Sequence, residues 1–235
     1  GFQTVEDGSA QVQFLMKDQA GWHTAAAFRN TSTQVDRVCF GSLAEGDAEG
    51  QAVFIGWGSA AGATGRLAAV NAYLYDAETG GITEYALGGY GEMAVTDFDG
   101  DGINELFTID KSVPAGEDAS EPTGAVARVY AFDRPEPYEA ASTAADNAIS
   151  NYTAVMFGDL NGTAKGVVVD GATANGSMTT QIFVMEQGGL INYPAGVNTE
   201  NYQNEYARPF GTAFYPRDIN GDGYIELPTV KELPG

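Results

Sequence analysis

An all-β chain of repeated four-stranded blades, a β-propeller, is what this sequence predicts, and three observations predict it. Two short loops share one nine-residue grammar, D-x-[DN]-G-D-G-x-x-E: Asp97 to Glu105 and Asp218 to Glu226. The runs flanking the first, Met93-Ala94-Val95-Thr96 and Leu106-Phe107-Thr108-Ile109, are apolar and β-branched and suit strands. The same strand–turn–strand outline recurs with starts at Ser42, Asp97, Asp159 and Asp218, in steps of 55, 62 and 59 residues. A period of about 60 residues fits one four-stranded blade with generous loops.

The grammar of the two loops is that of a cation site. Positions 1, 3 and 5 aim side-chain oxygens at one point, position 7 adds a backbone carbonyl, and position 9 adds a carboxylate. The expected ligands are Asp97, Asp99, Asp101 and Glu105 with the Ile103 carbonyl, and Asp218, Asn220, Asp222 and Glu226 with the Tyr224 carbonyl. The glycines permit the sharp turn, because they accept positive φ without steric cost. An all-oxygen, adaptable shell suits Ca²⁺ better than Mg²⁺ or Zn²⁺, so two structural Ca²⁺ ions are expected. An EF-hand is excluded: it needs a glutamate at position 12 and an exiting helix, whereas position 12 is Thr108 or Thr229. The cation loop is therefore expected to join two strands. The weaker copy at Asp159 keeps Asn161 but has Thr163 at position 5, no carboxylate at position 9, and Lys165 close by. No ion is expected there, and Asp159 is expected to pair with Lys165.

The remaining elements follow in order. Gln11–Asp18 and Gly21–Thr24 read as an outer hairpin, so residues 1–30 are assigned to a blade completed by the C-terminus. Inner hairpins are expected to start near 38, 93, 154 and 212, the last spanning Phe214 to Val230. Each unit's outer half repeats as an alternating strand closed by an acidic turn: Ala69–Asp76, Ala127–Asp133 and Gln181–Glu186. Lys111 to Thr123, rich in Pro, Gly, Asp and Glu, reads as a long loop. Residues 1–235 form one propeller domain on this reading. Joining the two ends hides the edge strands.

Phe210-Gly211-Thr212-Ala213-Phe214-Tyr215-Pro216-Arg217 leading into Asp218, with Phe157-Gly158-Asp159-Leu160-Asn161-Gly162 as a second instance, resembles the FG-GAP (VCBS-like) repeats of secreted bacterial proteins. The same unit occurs in integrin α-subunit propellers. The resemblance implies a propeller with calcium in the hairpin between the two inner strands of a blade. The family has about seven blades and this chain has material for about four. It is accordingly a small closed ring or part of a larger propeller.

Composition bounds the function. The formal charge of −21 repels nucleic acid and anionic membranes. Scarce lysine and acidic, glycine-rich loops point to an extracellular or cell-surface setting where calcium is millimolar. No apolar run approaches a membrane span, and a lipid anchor in a longer precursor stays compatible with the sequence. Cys39, the single cysteine, lies in a strand pattern and reads as a small buried apolar residue. His23 is the only histidine, which excludes histidine-rich zinc sites; it reads as a half-exposed strand residue. No Gly-x-Ser-x-Gly elbow, P-loop or dinucleotide fingerprint is present. Tyr85, Tyr90, Tyr138, Tyr193, Tyr202, Tyr206 and Tyr215 fall near turns and are assigned to packing between blades rather than to a binding face. The sequence thus leans away from an enzyme, toward a secreted calcium-binding repeat module for adhesion or for binding a protein or carbohydrate ligand. The alternative is a carbohydrate-active enzyme, a glycosidase or polysaccharide lyase, on the same scaffold.

Overall fold

The computed structural model describes residues 2–4, 10–30, 35–43, 52–58, 67–76, 78–87, 92–109, 113–114, 122–123, 126–145, 149–160, 164–173, 178–194, 207–208 and 230–231. Every regular element among them is a β-strand, and every pairing is antiparallel. Sheet 1 holds β1 (Phe2–Thr4), β2 (Ala10–Asp18) and β3 (Gly21–Asn30). Sheet 2 runs β4 (Val35–Gly41), β5 (Ala52–Gly58), β6 (Leu67–Tyr75), β7 (Ile82–Leu87). Sheet 3 starts with β8 (Glu92–Thr96) and β9 (Glu105–Ile109). After β10 (Val113–Pro114) and β11 (Pro122–Thr123), it ends with β12 (Val126–Ala131) and β13 (Tyr138–Ala144). Sheet 4 runs β14 (Ile149–Leu160), β15 (Ala164–Thr173), β16 (Met178–Glu186), β17 (Gly189–Pro194). A last pair joins β18 (Ala207–Arg208) to β19 (Val230–Lys231).

The sheets stack face to face in chain order. Ile55, Trp57 and Tyr73 of sheet 2 pack on Val12, Phe14 and Phe28 of sheet 1. Its other face sets Ala52, Phe54, Val70 and Ala72 against Met93, Leu106 and Phe132 of sheet 3. The far side of sheet 3 presents Phe107, Ile109, Ala127 and Val129 to Val167, Val169, Phe183 and Leu190 of sheet 4. First strands neighbour first strands, with β4 beside β8 and β8 beside β14. Last strands neighbour last strands, with β3 beside β7 and β13 beside β17. Residues on both faces of β5 and β9 are therefore buried, and these strands read as continuous apolar runs rather than as alternation.

Three details depart from the sequence expectation. Sheet 1 has three strands: the expected hairpin of β2 and β3, and β1, which pairs with β2. The segment from Lys111 to Thr123, expected as a loop, contains the short hairpin of β10 and β11, which pair Val113 with Thr123. β14 and β15 stay paired through Asp159 opposite Lys165 to Leu160 opposite Ala164, leaving three residues between them. In sheet 3 the turn between Thr96 and Glu105 holds eight. Asp159 thus stands inside the ladder, whereas Asp97 stands beyond it. Of the inner hairpin expected from Phe214 to Val230, residues 214–229 lie outside the described residues.

Phe107 joins sheets 3 and 4. It is fully buried, with its ring centroid 6.1 Å from Phe98 and 5.2 Å from Phe183. Phe107→Ala is expected to cost about 3–5 kcal/mol, read as a lower urea midpoint at unchanged slope.

Candidate metal centre

The loop from Asp97 to Asn104 is built by its own carboxylates and glycines. Gly100 and Gly102 adopt φ of 84° and 89°, a region that side chains with a Cβ rarely enter. These turns point backbone N–H groups inward. Asp97 accepts from Gly100 at 2.7 Å and from Gly102 at 3.2 Å, one on each carboxylate oxygen. Asp99 accepts from the Asp101 N–H at 3.1 Å, and Asp101 from the Ile103 N–H at 2.7 Å. Glu105, at the first position of β9, accepts the Phe98 N–H at 2.7 Å. Phe98 itself is buried and plugs the loop into the core against Phe107.

This arrangement brings three of the expected ligands together. One carboxylate oxygen each from Asp97, Asp99 and Glu105 lie within 4.8 Å of one another, a group that could hold a metal ion. Asp101 stays outside that group and is exposed, its Oδ1 turned to Ile103. Ile103 is half-buried within the same turn. Asp218, Asn220, Asp222, Tyr224 and Glu226 lie outside the described residues, and the antiparallel pair β18–β19 brackets them.

Burial and neighbouring charge disfavour ionisation at Glu105 and Asp99. Glu105 is only 5% exposed, and burial pushes its carboxyl up to about 8, against an ordinary value of 4.5. The Phe98 N–H pulls the other way, while the charges of Asp99, Asp101 and Asp97 raise it further. Asp99 is also raised, first by desolvation and then by the charges of Asp101 and Asp97. A divalent cation among these oxygens relieves both costs, and the all-oxygen donor set fits a hard ion.

Beside the group lies a cavity of about 70 Å³, lined by Asp99, Asp101, Glu105, Asp133 and Tyr138 among others. It has room for about two waters at ~30 Å³ each. Small-molecule sites span roughly 300–1,000 Å³, so this space by itself is too small for one. Asp133 comes from the β12–β13 turn and Tyr138 opens β13, with the Arg134 guanidinium 3.8 Å from the Tyr138 ring centroid. A hydrogen bond with Asp133 raises the Tyr138 hydroxyl's pKa.

Sequence reasoning missed Phe98 and the Asp133–Tyr138 neighbourhood. A signal for Phe98 existed: position 2 is apolar in all three copies, as Phe98, Leu160 and Ile219. None existed for Asp133, which reaches the loop only through sheet pairing. Elsewhere, His23 is exposed with its Nδ1 3.6 Å from the Asp18 carboxylate. Cys39 is partly buried, and burial raises its thiol pKa despite the nearby Arg37, the opposite of an activated nucleophile. Tyr85 packs against the core between sheets 2 and 3, with its hydroxyl 3.4 Å from the Pro135 carbonyl. Among the described residues no helix is long and apolar enough to cross a membrane.

None of the protein-family models and none of the curated proteins compared with the chain matches it. A solved structure is similar in fold: the rhamnogalacturonan lyase PL11 of Bacillus licheniformis, with a TM-score of 0.52 at 14% identity. The match covers 96% of this chain and 41% of the lyase, so the chain spans about two fifths of that protein's length.

The raised Glu105 pKa sets a pH dependence for the protein in chelator. A carboxyl raised on folding stabilises fully below its unfolded value near 4.5, and that contribution is lost as pH rises through about 8. Melting temperatures in chelator should fall across that window, and Glu105→Gln should flatten the fall. A slope unchanged in the variant would assign it to other groups.

Proposed function

We propose that this chain is a calcium-stabilised β-propeller module of the FG-GAP/VCBS-like kind, working outside a bacterial cell in adhesion or in binding a protein or carbohydrate. The observation that carries this reading is the site's position. The three carboxylates of Asp97, Asp99 and Glu105 gather in the hairpin between the first two strands of a sheet, where the resemblance puts calcium. Support for the propeller comes from the stacking: first strands beside first strands, last beside last. The metal's role on this reading is structural. It ties the end of β8 to the start of β9 and neutralises charges that folding forces together. Two ions are proposed, the second at Asp218, Asn220, Asp222 and Glu226.

Extracellular modules bind calcium with Kd of about 10⁻⁴ to 10⁻³ M. A site filled to one hundred times Kd, binding only the folded state, adds about 2.7 kcal/mol. Asp99→Ala and Asp222→Ala should each lower the melting temperature in calcium and blunt the loss on adding chelator. Their effects should nearly add, because the loops belong to different repeats. Melting curves of wild type and both variants that coincide under all conditions would remove the structural-calcium reading.

A second reading is a polysaccharide lyase or other carbohydrate-active enzyme, favoured by the fold likeness to the rhamnogalacturonan lyase. A likeness at this identity carries fold and not chemistry. Incubation with acidic and neutral polysaccharides, followed by product release, separates the readings. The binding-module reading expects no turnover by this chain, and metal-dependent chain cleavage would replace it.

A further inference from the structure

The loop that gathers the carboxylates is also where sheets 2 and 3 are locked together. Asn104 precedes Glu105 and donates its backbone N–H to the Ser42 carbonyl at 2.9 Å. Its side-chain Oδ1 accepts the Ser42 N–H at 2.7 Å, across 62 residues of sequence. One residue of the loop thus engages both backbone groups of Ser42, which lies just past the end of β4. The approach is close. A Cβ on the neighbouring Gly41 would stand 2.9 Å from the Phe54 ring, 3.3 Å from Val95 Cγ1 and 3.5 Å from Asn104 Cβ.

We propose that Asn104 is a positioning residue that couples cation binding by Asp97, Asp99 and Glu105 to the docking of the metal loop on Ser42, at the end of β4. This rests on the metal reading of the loop. Asn104 is bonded directly to Glu105, whose side chain is pinned to the Phe98 N–H. Without a cation, the loop's own N–H donors hold the carboxyls of Asp97 and Glu105 in place, and the loop is less firmly held. Any shift of the backbone around Asn104 breaks its paired bonds to Ser42. A cation that draws the carboxylates together holds Asn104 in register, and by linkage the docked turn strengthens cation binding by the same factor. At the corresponding position the second motif has Ile225, which has no side-chain acceptor, so the side-chain half of this device belongs to the first loop.

The test is run in an Asp222→Ala background, which removes the second proposed site and serves as the wild type at Asn104: amide hydrogen exchange at Ser42 with saturating calcium and with chelator, alongside calorimetric titration of calcium. In wild type, calcium should slow Ser42 exchange about tenfold, a typical coupling between linked sites. Asn104→Ala removes the bond to the Ser42 N–H. It should weaken calcium binding about fivefold or more and leave Ser42 exchange nearly insensitive to calcium. Asn104→Asp keeps an Oδ1 acceptor and should restore the calcium sensitivity. Calcium binding to wild type with unchanged Ser42 exchange would overturn the coupling while leaving the metal reading intact. So would an Asn104→Ala protein that binds calcium as wild type does. Should that variant fail to fold, the wild-type exchange decides alone. A wild type that takes up no calcium in the titration overturns the metal reading, and the coupling with it.

Discussion

Because sheets 2 and 3 each bury both of their faces, strands such as β5 and β9 have no solvent side. Their backbone groups must then be satisfied within the ladders. Four-stranded antiparallel sheets meet that demand at their centres and leave it open at their edges. The edge strands β4 and β8 lie beside one another, and the fully buried Glu92 of β8 meets Arg37 of β4 at 3.0 Å. Arg37 also donates to the Met93 carbonyl at 3.2 Å. A lone carboxylate at that depth would cost several kcal/mol, so the arginine makes this stacking possible rather than adding net stability. The pairing also fixes which edge meets which.

The carboxylate loop is possible only on such a scaffold. Phe98 and Phe107 anchor the turn to the core between sheets 3 and 4, so the backbone can hold Asp97, Asp99 and Glu105 closer than their charges favour. The loop N–H groups each accept part of that burden, yet burial still drives the Glu105 carboxyl up. The turn at Asp159 shows the alternative. There the ladder runs past the aspartate, directly opposite Lys165, and closes in three residues. Similar opening residues therefore lead to two different turns, and the spacing to the return strand decides which.

Most of the strand plan was legible in the residues, because strand patterns and acidic turns are local. β6, β12 and β16 fall within a few residues of the expected segments. The carboxylate trio was legible for the same reason: Asp97, Asp99 and Glu105 lie within nine residues, and their convergence depends on one turn. Phe98 apart, what escaped notice had no local mark. β1 is three residues long and is defined by its partner β2 rather than by any pattern of its own. β10 and β11 hide in a segment rich in turn-forming residues. Asp101 lines the same cavity and accepts the Ile103 N–H, while its carboxylate lies outside the group of three.

By itself, then, the sequence determined the strand class and the three-carboxylate turn, both of which depend on torsions and spacing within a dozen residues. Only the tertiary structure decided which faces are buried, that Glu92 meets Arg37, that the β12–β13 turn closes the cavity beside the ion group, and that Asn104 engages Ser42. Those contacts join residues tens of positions apart. Their partners are selected by how the sheets stack, and no spacing along the chain encodes that geometry.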